Sequence, residues 1–284
     1  MNQHKSSFIL GCITIVLWSS LAALGKLLIH LPPFYLLGWA FLLGSVFSWR
    51  KPKEMFPSWK ISVWGILGFF FYHFFLFYAL RFAPAIEANL INYMWPVLLV
   101  MMTPIFFKDQ KLAWYHFAGS TLAVIGCVLL VGGEGFELKE DHLKGYLLAA
   151  AAALAWPIYS LGKKKLGETS VWAIGGFCLG SSVLCFMTHA WIEPVTPLPP
   201  PQDLWLILIM GLGPFGIAFY TWDLAIHRGD TRVIGALTYL DPVLSTLGLI
   251  LFAGQVLGST TLVAMLLIVV GSCSGLVDFF KSKN

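Results

Sequence analysis

Charge is what this chain has least of. Asp, Glu, Lys and Arg make up 11% of its 284 residues, against roughly 25% in an ordinary soluble domain. That shortage excludes a globular fold with a solvated charged surface. Metal-ligand spacing is missing as well: Cys12, Cys127, Cys178, Cys185 and Cys273 all fall in apolar runs without a CxxC, so they read as small core residues. There is no HExxH, GxSxG, Walker A or Asp/Asn-rich calcium loop, which argues against an intramembrane enzyme. Ser160 to Lys163 matches Ser-x-x-Lys, but without the partner motifs it carries no weight. No ring of charges or filter sequence suggests a passive channel. Neither metal, cofactor nor nucleic acid is expected, and the net charge of +4 speaks of topology through its distribution.

What the chain has in abundance is apolar sequence. Hydrophobic residues reach 58% and the mean hydropathy is +0.79, the composition of an integral membrane protein. Apolar runs near the ~20 residues that a spanning helix needs recur ten times, at about 8–29, 34–49, 61–82, 85–107, 113–131, 143–161, 171–192, 204–226, 233–253 and 260–280. The first run exceeds the about 7 to 15 apolar residues of a signal peptide and no small-residue cleavage site follows it, so it is expected to stay in the mature protein. With the amino terminus inside, the inner ends carry 14 of the 18 Lys and Arg residues. Lys26, Arg81, Lys139 and Lys144 remain outside, and the outer loop 134–144 is mostly acidic. By the positive-inside rule both termini are cytoplasmic. The fold class expected is an all-α membrane protein of ten transmembrane helices.

The chain repeats itself. Setting Tyr239 on Tyr93, an offset of 239 − 93 = 146, also matches Trp205 with Trp59, Ile207 with Ile61, Gly211 with Gly65 and Phe215 with Phe69. Ala225 with Ala79, Pro242 with Pro96, Val243 with Val97 and Leu244 with Leu98 follow without a gap. Upstream, Trp156 falls on Trp18 and Lys164 on Lys26 at 156 − 18 = 138, and the proline-rich stretch 194–201 takes up the difference. Two five-helix repeats, residues 1–132 and 143–281, are expected. Because five is odd, the second enters the membrane from the opposite side.

Both repeats carry a matching interruption. Asn-Tyr-Met-Trp-Pro at 92–96 places Pro96 where it leaves the carbonyl of Asn92 without a helical donor, and Thr-Tyr-Leu-Asp-Pro at 238–242 does the same to Thr238 through Pro242. In a bilayer such an oxygen must find protein or line a wet cavity. Paired interruptions in two repeats point to a binding site between them.

With five plus five spans, inner termini, a basic first inner loop and broken fourth and ninth helices, the chain resembles the drug/metabolite transporter superfamily in its EamA-type branch. Asn92-Tyr93-Met94-Trp95-Pro96, with Glu87-Ala88-Asn89 before it, is similar to the bacterial aromatic amino acid exporters. The resemblance implies a secondary transporter of the bacterial inner membrane. It would export aromatic and other neutral amino acids by alternating access through a cavity between the halves. An exporter of drugs or other small metabolites is the alternative within the superfamily. A phosphate-ester carrier would want central Lys or Arg residues, which are missing. The partners implied are the amino acid substrate, the lipid bilayer and a proton as candidate coupled ion, with the chain as a monomer.

The candidate substrate-binding residues are Tyr72, His73, Tyr78, Asn92, Tyr93, Trp95, Trp156, Tyr159 and Tyr239. Polar-edged aromatics at mid-depth differ from the interfacial belts and suit an amphipathic guest, through ring stacking and cation–π attraction. Each could equally be packing, and His73 could be a neutral imidazole bonded to a tyrosine or carbonyl. Pro96, Pro157, Pro214 and Pro242 are the candidate helix breaks that allow gating. His73 and Asp241 are the candidate coupling residues, since ionisable groups at mid-membrane default to function. Asp-Pro is also a good helix start, and the reading of Asp241 as an N-cap is preferred. Asp223 is expected to pair with a base near Arg228. Glu87 and Arg81 are expected to face water or each other, and Lys26 to snorkel at an outer end. GxxxG at 176/180 and 271/275 is expected to bring helices together within the monomer.

Overall fold

In the computed structural model, residues 3–129, 139–167, 169–245, 247 and 259–281 are described. The outer loop and the ends of the fifth and ninth apolar runs fall partly on 130–138 and 248–258 and so lie outside the described residues. Among the described residues there is no strand, and six helices are long and apolar enough to cross a membrane. Two shorter apolar helices, Pro33–Ser48 and Ser259–Cys273, join them.

The first half runs α1 (Gln3–Ser19), α2 (Leu21–Leu27), α3 (Pro33–Ser45), α4 (Pro52–Met55), α5 (Trp59–Ala79), α6 (Ala85–Asn92), α7 (Trp95–Phe106) and α8 (Trp114–Cys127). The second runs α9 (Leu143–Leu166), α10 (Ala173–Ile192), α11 (Pro201–Leu212), α12 (Ala218–Arg228), α13 (Thr231–Leu237) and α14 (Ser259–Lys281). Proline sits in the first turn of α3, α4, α7 and α11, where its missing N–H is no loss. Ser58 caps α5 by accepting from the Ile61 amide at 3.4 Å.

The packing partners come in matched sets. The α1 helix packs on α12 as α9 packs on α5, α10 packs on α5 as α3 packs on α11, and α7 packs on α9 as α13 packs on α1. The helices α3 with α10, α8 with α14, and α7 with α13 pair with each other. Exchanging first-half spans for their second-half counterparts leaves this pattern unchanged, as a two-fold relation between two repeats requires.

Helices in lipid gain nothing by hiding apolar surface from apolar solvent, so close packing must hold them together. Gly176, Gly180 and Gly271 serve this within the chain. An added Cβ at Gly176 would lie 2.0 Å from the Met55 carbonyl oxygen, and one at Gly271 would lie 2.6 Å from that of Gly119 in α8.

Both expected interruptions are present. The fourth apolar run is split at Tyr93 and Met94, and Pro96 stands in the first turn of α7. The α13 helix gives way to a 3-10 turn, Thr238–Leu240, before helix resumes at 241–245. Asp241 departs from the preferred reading: its φ of −57° and ψ of −48° are helical, whereas an N-cap has extended backbone. The 3-10 turn hands the chain to the next helical segment without leaving helical space, so no capping position exists there. In the eighth run, Gly213 and Pro214 produce one π-helical turn, Gly213–Ile217. Pro157, by contrast, is carried inside the continuous α9.

Of the charged groups near the helix ends, Glu87 departs from expectation. Asp223 pairs with Lys163, both side chains buried, and also has His227, the base beside Arg228, at 3.5 Å. Glu87 is buried and accepts from the Tyr146 hydroxyl at 2.5 Å, with His142 at 3.5 Å. Arg81 is exposed, as expected, and reaches Glu193 at 3.4 Å. The Glu193 carboxylate also accepts from the amides of Phe34 and Tyr35 at 3.0 and 3.2 Å, satisfying the open amino end of α3. Lys26 is exposed, as expected.

Candidate functional site

The broken helices and the π turn converge on a chamber between the two halves. Its walls are Trp18, Leu21, Tyr72, His73, Trp95, Trp156, Phe219 and Asp241. Six of these eight are repeat-related pairs: Trp18 with Trp156 (156 − 18 = 138), His73 with Phe219 (219 − 73 = 146) and Trp95 with Asp241 (241 − 95 = 146). The chamber therefore straddles the relation between the repeats.

Two of the walls, Trp18 and His73, are held by hydrogen bonds to backbone carbonyls. The π turn displaces carbonyls from the regular ladder, and the Trp18 indole N–H donates to one of them, Pro214 O, at 3.2 Å. That anchors the ring edge-on to Trp156 at 5.6 Å and to Trp95 at 6.2 Å. Trp222 completes the cluster behind them, 5.2 Å from Trp18, and donates its N–H to the Ser160 hydroxyl at 3.1 Å. His73 Nδ1 lies 2.7 Å from Phe69 O. A carbonyl only accepts, so Nδ1 carries the hydrogen and the other nitrogen of the neutral ring is an acceptor. The imidazole is enclosed by Phe41, Phe215 and Tyr72 with centroids at 4.9, 5.2 and 4.8 Å.

Two polar groups on the chamber wall lack partners. Trp156 Nε1 and Asp241 Oδ1 are buried without a hydrogen bond among the described residues, as is Asn92 Oδ1 nearby. The Asn92 amide donates to the Tyr72 hydroxyl at 3.4 Å. Buried polar atoms without partners are costly and are normally satisfied by water or ligand. The chamber measures about 80 Å³, room for a few waters and far below the roughly 300–1,000 Å³ of a ligand site. This conformation is contracted around its centre.

The structure thus brings together Tyr72, His73, Trp95, Trp156 and Asp241. Asn92 stands behind Tyr72, and Tyr159 is part of the buried wall, 5.3 Å from Trp156 and 5.0 Å from Phe69. Tyr93 and Tyr239 line a second, almost wholly apolar cavity of about 140 Å³ with Leu90, Met94, Val124 and Cys127. The Tyr239 hydroxyl donates to Ser120 at 3.0 Å. Tyr78 lies apart at the end of α5, stacked on Phe74 and under Arg81. Pro214 forms the π turn beside the chamber; Pro96 and Pro242 follow directly on Trp95 and Asp241. Sequence reasoning missed Trp18, Leu21 and Phe219. The repeat register was the signal available: Trp18 stands on Trp156, and Phe219 stands on His73.

Polar contacts flank Trp156 along α9 on either side. Toward the C-terminal ends of α9 and α12 lies the Lys163–Asp223 pair, with the Lys164 ammonium donating to Gly229 O at 2.8 Å. Toward the beginning of α9, Tyr146 ties α9 to α6 through Glu87.

The family model described as the EamA-like transporter family matches the chain twice, over residues 5–132 and 143–274. The chain is 36% identical over 282 residues to a protein of Ancylobacter novellus named aromatic amino acid exporter YddG, covering 96% of this chain and 97% of that protein. It is 27% identical over 278 residues to the Escherichia coli K12 protein of the same name, covering 87% and 88%. A Salmonella typhimurium protein named probable amino-acid metabolite efflux pump is 27% identical, over 95% of this chain and 94% of its own. A crystal structure 34% identical in sequence superposes with a TM-score of 0.92, over 99% of this chain and all of that one.

Proposed function

The chain belongs to the EamA-like transporter family, and from that premise we propose that it exports aromatic and other neutral amino acids across the bacterial inner membrane. It does so as a ten-span secondary transporter of two inverted repeats, residues 1–132 and 143–281, with both termini cytoplasmic. Four observations support this reading: ten apolar runs, a consistent positive-inside bias, an exchange-symmetric packing pattern and relatives named as aromatic amino acid exporters. Those relatives are transporters, and an enzymatic role for this chain has no counterpart among them.

The observation that carries the mechanism is the contracted chamber between the repeats. Its walls supply aromatic faces, neutral donors and one carboxylate, the chemistry of an amphipathic guest with a ring. At about 80 Å³ it holds no such guest, so the walls must part to load one. Alternating access is then the separation of the repeats first at one end and then at the other. The Lys163–Asp223 and Glu87–Tyr146 contacts sit where those two gates would open. Tyr72, His73, Trp95 and Trp156 form the binding surface in this scheme. Asn92, Tyr159, Tyr93, Tyr239 and Tyr78 support or flank it. His73 is the candidate for carrying a coupled proton.

A drug or metabolite exporter remains the second reading, favoured by the relative named as a metabolite efflux pump. Uptake of labelled tryptophan, phenylalanine, threonine, lysine and glutamate into liposomes bearing the purified protein separates the two. Uptake of the aromatics above empty liposomes, with trapping in counterflow, supports the exporter; transport of none of the five passes the substrate class to the alternative.

A further inference from the structure

The repeat-related pairs that line the chamber are chemically unequal. Where the first repeat places the ring of Trp95, the second places the carboxylate of Asp241, and both face one space. Among the lining residues Asp241 is the one acid, and no lysine or arginine accompanies it. Its Oδ1 has no hydrogen-bond partner among the described residues.

With His73 as the neutral ring, an anion brought into this chamber would meet a carboxylate and no cation. A primary ammonium would supply the missing donors, and it would lie among tryptophan rings, whose faces attract cations most strongly. A substrate carboxylate has neutral donors to turn to, among them the unpartnered Trp156 N–H and the Tyr72 hydroxyl. Hydrogen bonds to a charged group contribute more than neutral ones. The amine end therefore dominates recognition.

We propose that Asp241 holds the ammonium group of the guest while Trp18, Trp95, Trp156 and Phe219 hold its ring, so that aromatic amines lacking a carboxylate are ligands of this chamber. This rests on the reading of the chamber as the transport site. It extends the substrate class from amino acids to their decarboxylated amines and excludes their deaminated acids.

The test uses the full-length protein in detergent near neutral pH, following quenching of its tryptophan fluorescence, because three of the chamber walls are indoles and phenyl ligands do not interfere. Phenylalanine, phenethylamine and 3-phenylpropionate are titrated. Phenethylamine is expected to bind within about tenfold of phenylalanine, and 3-phenylpropionate about tenfold or more weaker than phenethylamine, the scale of one lost charge-assisted hydrogen bond. Asp241→Asn is expected to weaken phenethylamine by a similar factor, and unchanged affinity in a folded variant overturns the assignment of Asp241. Absence of phenethylamine binding, or an acid that binds as well as the amine, overturns the proposal from the wild-type series alone. Liposome uptake of labelled phenylalanine separates the two readings. Failure of uptake with the amine-over-acid order intact counts against amino acid export and leaves the amine site standing. Normal uptake with the order reversed counts against the amine site alone.

Discussion

The indole rings of Trp18 and Trp156, equivalent positions in the two repeats, meet edge to face with centroids 5.6 Å apart. A residue can touch its own repeat mate only beside the axis that relates them. The contact therefore marks the centre of the molecule, and Trp95 at 6.2 Å from Trp18 belongs to the same centre. Trp95→Ala is expected to lower export of aromatic amino acids by about tenfold or more, because it removes a wall of the chamber. Truncating a buried tryptophan also costs roughly 3–5 kcal/mol, so membrane levels must be measured beside uptake. Trp95→Phe, which keeps a ring and fills more of the space, is expected to retain part of the activity. Normal transport by a well-expressed Trp95→Ala protein removes Trp95 from the site.

How much of this centre was legible in the sequence depends on whether the governing interaction is local. Proline at 96 and 242 disrupts a helix through its own ring and missing N–H, and both breaks could be read directly. Trp18 was legible only through its repeat mate. Asp241 was misjudged because Asp-Pro is a local capping signal, whereas the backbone stays helical through the 3-10 turn before it. Glu87 was misplaced because its partner Tyr146 is 59 residues away, and no spacing rule joins them. The π turn at Gly213–Ile217 was foreseen as a place to bend, but the role of its Pro214 carbonyl, accepting from Trp18, required coordinates.

Lys163 and Asp223 face each other with side chains 2% and 6% exposed. Breaking such a pair by removing one partner leaves an uncompensated buried charge, at a cost of roughly 3–5 kcal/mol. Lys163→Met should therefore lower thermal stability strongly. The double variant Lys163→Met with Asp223→Leu should recover most of the loss, because no lone charge remains. Thermal unfolding of the wild type, both single variants and the double variant gives the coupling directly. Additive losses would mean that the pair does not act as a unit.

Gly44 in α3 lies against the π turn, where an added Cβ would come within 2.3 Å of the Phe215 carbonyl oxygen. The obstacle is backbone and cannot rotate aside. Gly44→Ala is expected to destabilise the protein by about 1–3 kcal/mol, the usual cost of forcing volume into a close contact. It should also disturb the adjoining Trp18–Pro214 bond, visible as a change in tryptophan fluorescence. A variant with wild-type unfolding temperature and spectrum would show that the turn can yield.

Asp230 lies in the turn between α12 and α13 and accepts from the Arg232 amide at 2.9 Å and its guanidinium at 2.5 and 3.0 Å. Burial alone would raise its pKa, but the hydrogen bonds and charge of Arg232 outweigh that and hold the carboxyl below its usual range. With the folded value depressed, its contribution is present above the unfolded pKa of about 3.9 and is lost as pH falls through the folded value. Asp230→Ala should cost about 1 kcal/mol as a lost cap, and should do so at neutral pH but no longer well below about pH 3.9. Unfolding curves of both proteins across that range check the sign. A deficit that persists unchanged into acid would mean that the side chain acts by packing.

His73 offers a hydrogen from Nδ1 to Phe69 O at 2.7 Å and presents its edge to the chamber. Glutamine at this position can still donate to that carbonyl, but it cannot gain or lose a proton between about pH 5 and 8, the range in which histidine titrates unperturbed. As the carrier of a coupled proton, His73 requires that His73→Gln flatten the pH dependence of export across that range while binding of phenylalanine persists. Liposome uptake with and without an imposed pH gradient measures both. An unchanged profile would leave His73 the task of shaping the chamber wall between Tyr72 and Phe215, and the source of the driving force would then lie with the substrate's own gradient.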